Sequence, residues 1–264
     1  MEKIALISDI HGNLTALKTV LEDIKKRNIK HIYCLGDIAI KGICPNEVTD
    51  LIRQNCEITV RGNCDHLLIY NCVVPIQKWT LNRMSNENIE FLKNLPFSHD
   101  FYLSGHLVRI FHSSPYSLKH IFNPLHSNAE NDYKNFEILD PEKMFENTTF
   151  LGKTNIDALP DIVGYAHIHS PNLFRYKNKL IFNTGSVGLP IEIDNTDLDR
   201  DLSHLSTMCS YVILEGTLNS KSLSSYSIQI VRLPYDLNSE IENIKNSDIP
   251  DKEILLRNYL YAQT

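Results

Sequence analysis

The sequence lacks any long apolar run. No uninterrupted stretch approaches the ~20 residues that cross a bilayer, so no membrane span is expected. The N-terminus also lacks a basic segment, a long apolar core and a cleavage site, so no signal peptide is evident. The six cysteines show no CxxC pairing, and the spacing of eight between Cys56, Cys64 and Cys72 is not that of a structural zinc site. These absences predict a cytoplasmic protein with reduced thiols.

An excess of basic residues is missing as well. The net charge of -6 argues against long nucleic acid as a partner, because phosphate backbones favour basic faces. At 264 residues the chain fits one domain, which we predict to cover 1–264 with a polar insertion or cap-like loop at about 113–160. The C-terminal hairpin and helices are predicted at about 209–264. The sequence leaves the oligomeric state open.

The first half of the chain alternates apolar runs with amphipathic stretches. Strands are predicted at 3–8, 31–35 and 57–60, with helices at 13–27 and 46–53 between them. Right-handed crossovers would make these strands parallel. Periodicity is weak between 65 and 85, and Asp140-Pro141 predicts the start of a later helix. Because the second half is rich in hairpins, we predict an α/β protein with two packed sheets and helices outside.

Side chains with oxygen or nitrogen donors stand at or just beyond the predicted ends of several strands. They are Asp9, His11, Asp37, Asn63, His112, His167 and His169. The carboxyl ends of parallel strands form a ligand-binding crevice, so these groups are expected to converge. Seven such donors suit two divalent cations that share one ligand, and the two carboxylate oxygens of Asp37 make it the natural bridge. A hydroxide between the cations would then attack a phosphoryl group.

The donors fall in five ordered motifs. These are Asp9-x-His11-Gly12-Asn13, Gly36-Asp37, Gly62-Asn63-x-Asp65, His112-x-Ser114-Pro115 and His167-x-His169, and Asn183-Thr184-Gly185-Ser186-Val187-Gly188 follows them. Their order resembles the calcineurin-like metallophosphoesterase superfamily, and within it the bacterial branch of small phosphodiesterases and predicted dinucleoside polyphosphate phosphatases. The resemblance runs from residue 3 to about residue 190.

The resemblance implies a fold, a cofactor and a reaction. The fold is a four-layer αββα sandwich of two mixed β-sheets flanked by helices. One metal would lie on Asp9, His11, Asp37 and His169, and the other on Asp37, Asn63, His112 and His167. The two ions would be manganese, iron or zinc, with manganese favoured. The implied reaction is hydrolysis of a small phosphodiester, phosphomonoester or nucleotide anhydride such as a dinucleoside polyphosphate.

The chain departs from the family pattern at Cys64, where a histidine normally contacts the phosphate and serves as the general acid. A thiol is a poorer hydrogen-bond donor and carries no positive charge. Substrates with good leaving groups, such as phosphoanhydrides, therefore become more plausible, and a nucleotide is the favoured class. His66 is a candidate for the missing proton donor, with a solvent-facing loop histidine as the alternative. Asp65 is a candidate for orienting its neighbours, with a turn or helix cap as the alternative.

Two residues are candidates for substrate binding. Asn13 could reach into the site, but its ordinary role would be to cap the first helix. Arg61 could meet a phosphate, although a partly buried arginine at a strand end is common. Two alternatives to an enzyme remain open: a scaffold or binding protein on the same fold with weakened catalysis, for which Cys64 is the main argument, and a metal-stabilised structural domain.

Overall fold

The computed structural model describes residues 1–122, 140–148, 156–192 and 204–261. Positions 123–139 and 149–155 of the predicted insertion lie outside the described residues. None of the helices in the described ranges is long and apolar enough to cross a membrane. All six cysteines are free thiols.

The first sheet contains the three strands predicted near the N-terminus. Strands are numbered in chain order; β1 (Glu2–Ile7), β2 (His31–Cys34) and β3 (Ile58–Thr59) lie side by side and parallel, as predicted. The C-terminal hairpin of β11 (Met208–Gly216) and β12 (Ser227–Pro234) extends this sheet antiparallel to β1, giving the order β12-β11-β1-β2-β3. Three parallel strands and an antiparallel hairpin make the sheet mixed.

The second sheet is also mixed. It contains β4 (Ser98–Leu103), β5 (His106–Phe111), β6 (Ile162–Tyr165), β7 (Asn172–Tyr176) and β8 (Lys179–Asn183) in the order β4-β5-β6-β8-β7. Strands β5, β6 and β8 run parallel, while the edge strands pair antiparallel. A separate short pair is formed by β9 (Ile191–Glu192) and β10 (His204–Leu205).

The described residues include seven α-helices. They are α1 (Leu14–Lys26), α2 (Pro45–Asn55), α3 (Asn63–Tyr70), α4 (Pro75–Leu81), α5 (Asn86–Lys93), α6 (Leu237–Lys245) and α7 (Lys252–Tyr261). The apolar faces of α1, α2, α6 and α7 pack in one core with the outer face of the first sheet. On the outer face of the second sheet, Phe122 and the 3₁₀ helix Pro141–Phe145 complete a smaller core.

A third core lies between the two sheets. Alternate side chains of β1, such as Ile4 and Leu6, pack against β5 and β8 side chains such as Val108 and Phe182. Each sheet thus buries one face against the other sheet and its second face elsewhere, which is the physical reason for a layered architecture. The predicted α/β class with two mixed sheets and flanking helices is confirmed.

Three local predictions were wrong or missing. Helices α3 and α4 were not predicted, because Gly62 and Val74, which precede them, have no side chain that can cap a helix. The N-terminus of α3 follows Gly62, whose N–H donates to Asp65 within the helix (3.0 Å), and Gln77 accepts the N–H groups that precede α4. The helix predicted at Asp140-Pro141 is a single short 3₁₀ segment without a side-chain cap on Asp140.

Candidate metal centre

The loops that follow the parallel strands are joined to one another by backbone hydrogen bonds. The N–H of Asp9, after β1, donates to Gly36 O (3.0 Å), and the N–H of His11 donates to Asp37 O (3.0 Å), after β2. In the second sheet, the N–H of Ala166 donates to His112 O (2.8 Å). The N–H of His167 donates to Asp9 Oδ2 (3.3 Å), so loops from both sheets meet at one place, as the sequence predicted.

The backbone at this edge is unusual. Five candidate ligands have left-handed φ angles: Asp9 (51°), His11 (48°), Asp37 (56°), His167 (70°) and His169 (61°). Such a conformation costs a residue with a Cβ on the order of 1–3 kcal/mol and persists only where the surrounding structure enforces it. This strained conformation recurs at five of the seven predicted ligands. It indicates that the loops position these side chains at a cost in stability.

One group of donors, here called the first cluster, consists of Asp9, His11 and His169. All three are buried, and their ligand atoms lie within 4.8 Å of one another. The Nε2 atoms of the two imidazoles are 3.1 Å apart, and Asp9 Oδ1 lies 3.2 Å from His169 Nε2 and 3.6 Å from His11 Nε2. The other carboxylate oxygen, Oδ2, accepts a hydrogen bond from Ser8 Oγ (2.8 Å).

Backbone carbonyls fix the tautomers of these rings. His11 Nδ1 lies 3.0 Å from Ile40 O, and His169 Nδ1 lies 2.7 Å from Leu189 O. Because a carbonyl only accepts, each Nδ1 must carry the hydrogen, and in a neutral ring Nε2 then carries a lone pair. Burial, aided by the charge of Lys41, lowers the pKa of His11 to about 4, so this ring is neutral at pH 7.

The second cluster consists of Asn63, His112 and His167. His112 Nδ1 faces Leu35 O (2.7 Å), and its Nε2 lies 2.9 Å from Asn63 Oδ1. The His167 ring packs beside it, with the centroids 5.2 Å apart. Burial and the neighbouring His112 lower the pKa of His167 to about 3, so this ring too is neutral. Asn63 and His167 are half-buried, whereas the first cluster is closed to solvent.

Asp37 lies between the two clusters. Its Oδ2 is 3.8 Å from His11 Nε2, and its Oδ1 is 3.6 Å from His112 Nε2. The N–H of Cys64 donates to Oδ1 (2.8 Å) and fixes the carboxylate. Position 62 must be glycine, because a Cβ there would lie 2.1 Å from Asp37 Oδ1. The sequence predicted Asp37 as the ligand that two cations share, and that role stays a prediction.

The arrangement is chemically incomplete without cations. In the first cluster the Nε2 atoms of two imidazoles whose Nδ1 atoms face backbone carbonyls converge with a carboxylate oxygen, and Asp9 Oδ1 has no hydrogen-bond partner among the described residues. Converging acceptors in a buried pocket repel one another and are costly unless a cation lies among them. In the second cluster, burial lowers the pKa of His112 but the charges of Asp37 and Asp9 raise it above its usual value, so this pocket too favours positive charge. The donor set therefore fits divalent cations.

The predicted catalytic residues all lie on α3, next to the second cluster. Asp65 is buried, and its carboxylate accepts the N–H groups of Asp37 (2.8 Å), Ile38 (2.9 Å) and Gly62 (3.0 Å). Burial and the charge of Asp37 raise its pKa to about 6. Its contacts are those of a group that orients the ligand loops, and a direct part in catalysis stays a prediction.

Cys64 and His66 differ in their surroundings. Burial, followed by the charge of Asp37, raises the pKa of the Cys64 thiol well above its usual range, so the side chain is neutral. The His66 ring is half-buried and lies 4.9 Å from the Tyr70 ring at a tilt of 38°, and burial with the charge of Arg61 lowers its pKa. Among the described residues, none forms a hydrogen bond with His66 Nδ1.

The predicted substrate-binding residues have structural partners. Asn13 is buried, and its Oδ1 accepts the N–H of Ala16 (2.9 Å), which confirms it as the cap of α1. Arg61 donates from Nη2 to Lys93 O (2.6 Å) and lies over the Tyr70 ring at 5.3 Å. Contact of either residue with a substrate stays a prediction.

Sequence reasoning missed Lys41. Desolvation of the Lys41 ammonium lowers its pKa, but the groups of Cys64, Asp37 and Asp9 raise it further, so the net shift is upward and the ammonium stays charged. The residue as a whole keeps an exposed surface, and its backbone is left-handed with φ of 84°. Its positive charge therefore acts on the carboxylates of Asp37 and Asp9. The only signal in the sequence is its place four residues after Asp37.

Comparisons with known proteins agree with the motifs. A model of the calcineurin-like phosphoesterase superfamily domain matches residues 2–199. The uncharacterized protein MJ0912 of Methanocaldococcus jannaschii is 32% identical over 262 residues, with 94% of each chain covered. A crystal structure of a metallophosphoesterase from Sphaerobacter thermophilus has 20% identity and a TM-score of 0.67, and covers 99% of both chains. The hypothetical protein PH1004 from Pyrococcus horikoshii OT3 has 18% identity and a TM-score of 0.68, with the same coverage.

The two solved structures establish the fold, while the family model extends over most of the chain and includes every predicted metal ligand. The narrower resemblance to small phosphodiesterases stays a prediction. By its motifs, its fold and its match to the family, the chain belongs to the calcineurin-like phosphoesterase superfamily.

Proposed function

We propose that the protein is a dinuclear metal-dependent phosphoesterase that hydrolyses a small phosphorylated compound. The observation that carries this proposal is the convergence of lone pairs in the first cluster, where His11 Nε2 and His169 Nε2 lie 3.1 Å apart beside an Asp9 oxygen without a donor. A scaffold gains nothing from an arrangement that is repulsive until cations bind. A purely structural metal site would not need two clusters that share a carboxylate.

The ligands are divided between the two ions by position. Asp9, His11, Asp37 and His169 would hold one ion, and Asp37, Asn63, His112 and His167 would hold the other. When bound, two divalent cations supply Lewis-acid activation of water and neutralise charge on the phosphoryl group. The mixed oxygen and nitrogen donors suit manganese, iron and zinc, and we favour manganese.

The protein's own side chains prepare the site for an anion. The backbone carbonyls of Ile40, Leu35 and Leu189 each face the Nδ1 atom of one imidazole, so the Nε2 atom of each ring is directed at the site. Lys41 adds a positive charge beside the carboxylates, which favours a phosphate at the mouth. We also propose His66, which is half-buried and lies one turn after Asn63 on α3, as a proton donor to the leaving group.

The neutral thiol of Cys64 points to the class of substrate. A buried thiol with a raised pKa supplies neither a positive charge nor an efficient proton to a leaving group. A good leaving group departs without such help, whereas an alkoxide needs a proton. We therefore favour a nucleotide anhydride, such as a dinucleoside polyphosphate, or an activated diester over an alkyl monoester.

The second candidate is a binding protein with weakened catalysis, and Cys64 is the observation that favours it. Hydrolysis of bis-p-nitrophenyl phosphate with added manganese, iron or zinc separates the two. We expect activity that disappears in Asp37→Asn and survives in the control Asp248→Asn, which removes an exposed carboxylate paired with Arg83. No hydrolysis with any of the three metals would favour the binding protein. A panel of dinucleoside polyphosphates, cyclic nucleotides and sugar phosphates then identifies the substrate.

A further inference from the structure

The C-terminal helix α7 reaches the back of the first cluster. Its residues Lys252–Tyr261 lie beyond positions 2–199, which the family model matches. One side chain of this helix, Tyr259, is buried with 2% of its surface exposed and lies in the core that α7 shares with α1 and the first sheet. A tyrosine hydroxyl in such a place needs a hydrogen-bond partner.

The partner of Tyr259 belongs to the loop that follows β8. Its hydroxyl donates to Gly188 O (3.0 Å). The Nδ2 amide of Asn13 donates to the same carbonyl (3.1 Å) and lies 3.4 Å from the tyrosine hydroxyl. Gly188 is thus held by two side chains, one from the cap of α1 and one from α7.

The same loop holds the first cluster from the other side. The N–H of Gly188 donates to Asp9 O (2.9 Å), and Ser186 Oγ donates to the same oxygen (2.8 Å). The next carbonyl, Leu189 O, lies 2.7 Å from His169 Nδ1 and sets the direction of that ring. Gly188 also approaches the ligand loop so closely that a Cβ would lie 1.9 Å from Ile10 O.

The peptide group between Gly188 and Leu189 is therefore fixed at both ends. Tyr259 and Asn13 hold its carbonyl, and Ser186 Oγ accepts its N–H (2.9 Å). A tilt of this peptide would move Leu189 O and so the ring of His169. Outer partners that orient a metal ligand typically contribute 10- to 100-fold to metal affinity. Tyr259 lies one peptide further from the metal ligand, so we expect its contribution to metal affinity to be smaller.

We infer that Tyr259 is a positioning residue for the metal centre, through which the C-terminal helix sets the metal affinity of the first cluster. This inference rests on the metal centre proposed above. The inference gives α7 a role in the metal centre, although none of the five sequence motifs includes a residue of this helix.

The test is the variant Tyr259→Phe, which removes the hydroxyl and keeps the ring in the core. Its matched control is Tyr211→Phe. Tyr211 is a fully buried tyrosine of the same core, and its hydroxyl donates to Asp23 Oδ2 (2.6 Å) at the far end of α1. The metal-free variants are titrated with Mn²⁺ by isothermal calorimetry without substrate, and their thermal unfolding is recorded in the absence of metal.

We expect Tyr259→Phe to bind one of two manganese ions about 3- to 10-fold more weakly and the other within about twofold of the wild type. Tyr211→Phe should lower the melting temperature comparably and leave both affinities unchanged. Equal affinities in all three proteins, or equal losses in the two variants, would overturn the inference. The readout needs no turnover. If the wild type binds manganese but hydrolyses nothing, the proposed function fails while the comparison of the two variants still decides the role of Tyr259.

Discussion

The two clusters of the metal centre are built from similar side chains but differ in their access to solvent. In the first cluster Asp9, His11 and His169 are all buried, and their outer partners are main-chain and hydroxyl groups of the interior. In the second cluster Asn63 and His167 are half-buried and lie beside the helix that carries Cys64 and His66. For the proposed metal centre we therefore expect the first cluster to retain its ion and the second to face the substrate.

The largest effect is expected from Asp9→Asn in the first cluster. Neutralising a buried ligand that faces two imidazoles should weaken binding of that ion by more than about 100-fold, which exceeds the usual loss from an outer partner. Added metal should then raise the melting temperature of the variant less than we expect it to raise that of the wild type. Differential scanning fluorimetry over a series of manganese concentrations measures this. A shift as large as that of the wild type would show that the first cluster does not retain the ion.

A smaller effect is expected from His167→Gln in the second cluster. The half-buried ring is one of three predicted ligands there besides the shared Asp37, so the affinity for the second ion should fall by about 10- to 100-fold. The metal content after gel filtration should drop from two ions per chain to one. His106→Gln, at the start of β5 and packed against Tyr226, is the control and should keep both. Loss of both ions from His167→Gln would contradict the division into two clusters.

The smallest effect is expected from Cys64→His, which places a proton donor on α3 next to Asn63. Rates on alkyl phosphodiesters should rise about tenfold, which is less than the ~100-fold or more that a well-placed general acid contributes, while rates on p-nitrophenyl esters change little. Comparison with Cys64→Ala shows whether the thiol itself takes part. If Cys64→His accelerates neither class of substrate, the argument from the leaving group is wrong.

Much of this site follows from the sequence. The β-α-β-α-β order places Asp9 and Asp37 after adjacent parallel strands, and the later strands bring His112, His167 and His169 to the same edge. Alternation of apolar runs and amphipathic stretches is sufficient for that prediction. The sequence also predicted Asn13 as the cap of the first helix, which the structure confirms.

The remaining features depend on contacts between distant parts of the chain. No local preference predicts left-handed backbone at Asp37 or His169, because only tertiary hydrogen bonds enforce it. The three N–H groups that Asp65 accepts come from two separate loops, and Tyr259 meets Gly188 across 71 positions. Helix α3 was not predicted, because its first turn consists of site residues and so shows no regular apolar face.

The carbonyls that orient His11, His112 and His169 belong to Ile40, Leu35 and Leu189. A main-chain oxygen is present whatever side chain its residue carries. The orientation of these three imidazoles therefore depends on the backbone conformation of Ile40, Leu35 and Leu189 and not on their side chains. Substitution at those three positions can change how the loops pack, but it leaves the orienting atom itself in place, so this layer of the site can vary in sequence without losing its chemistry.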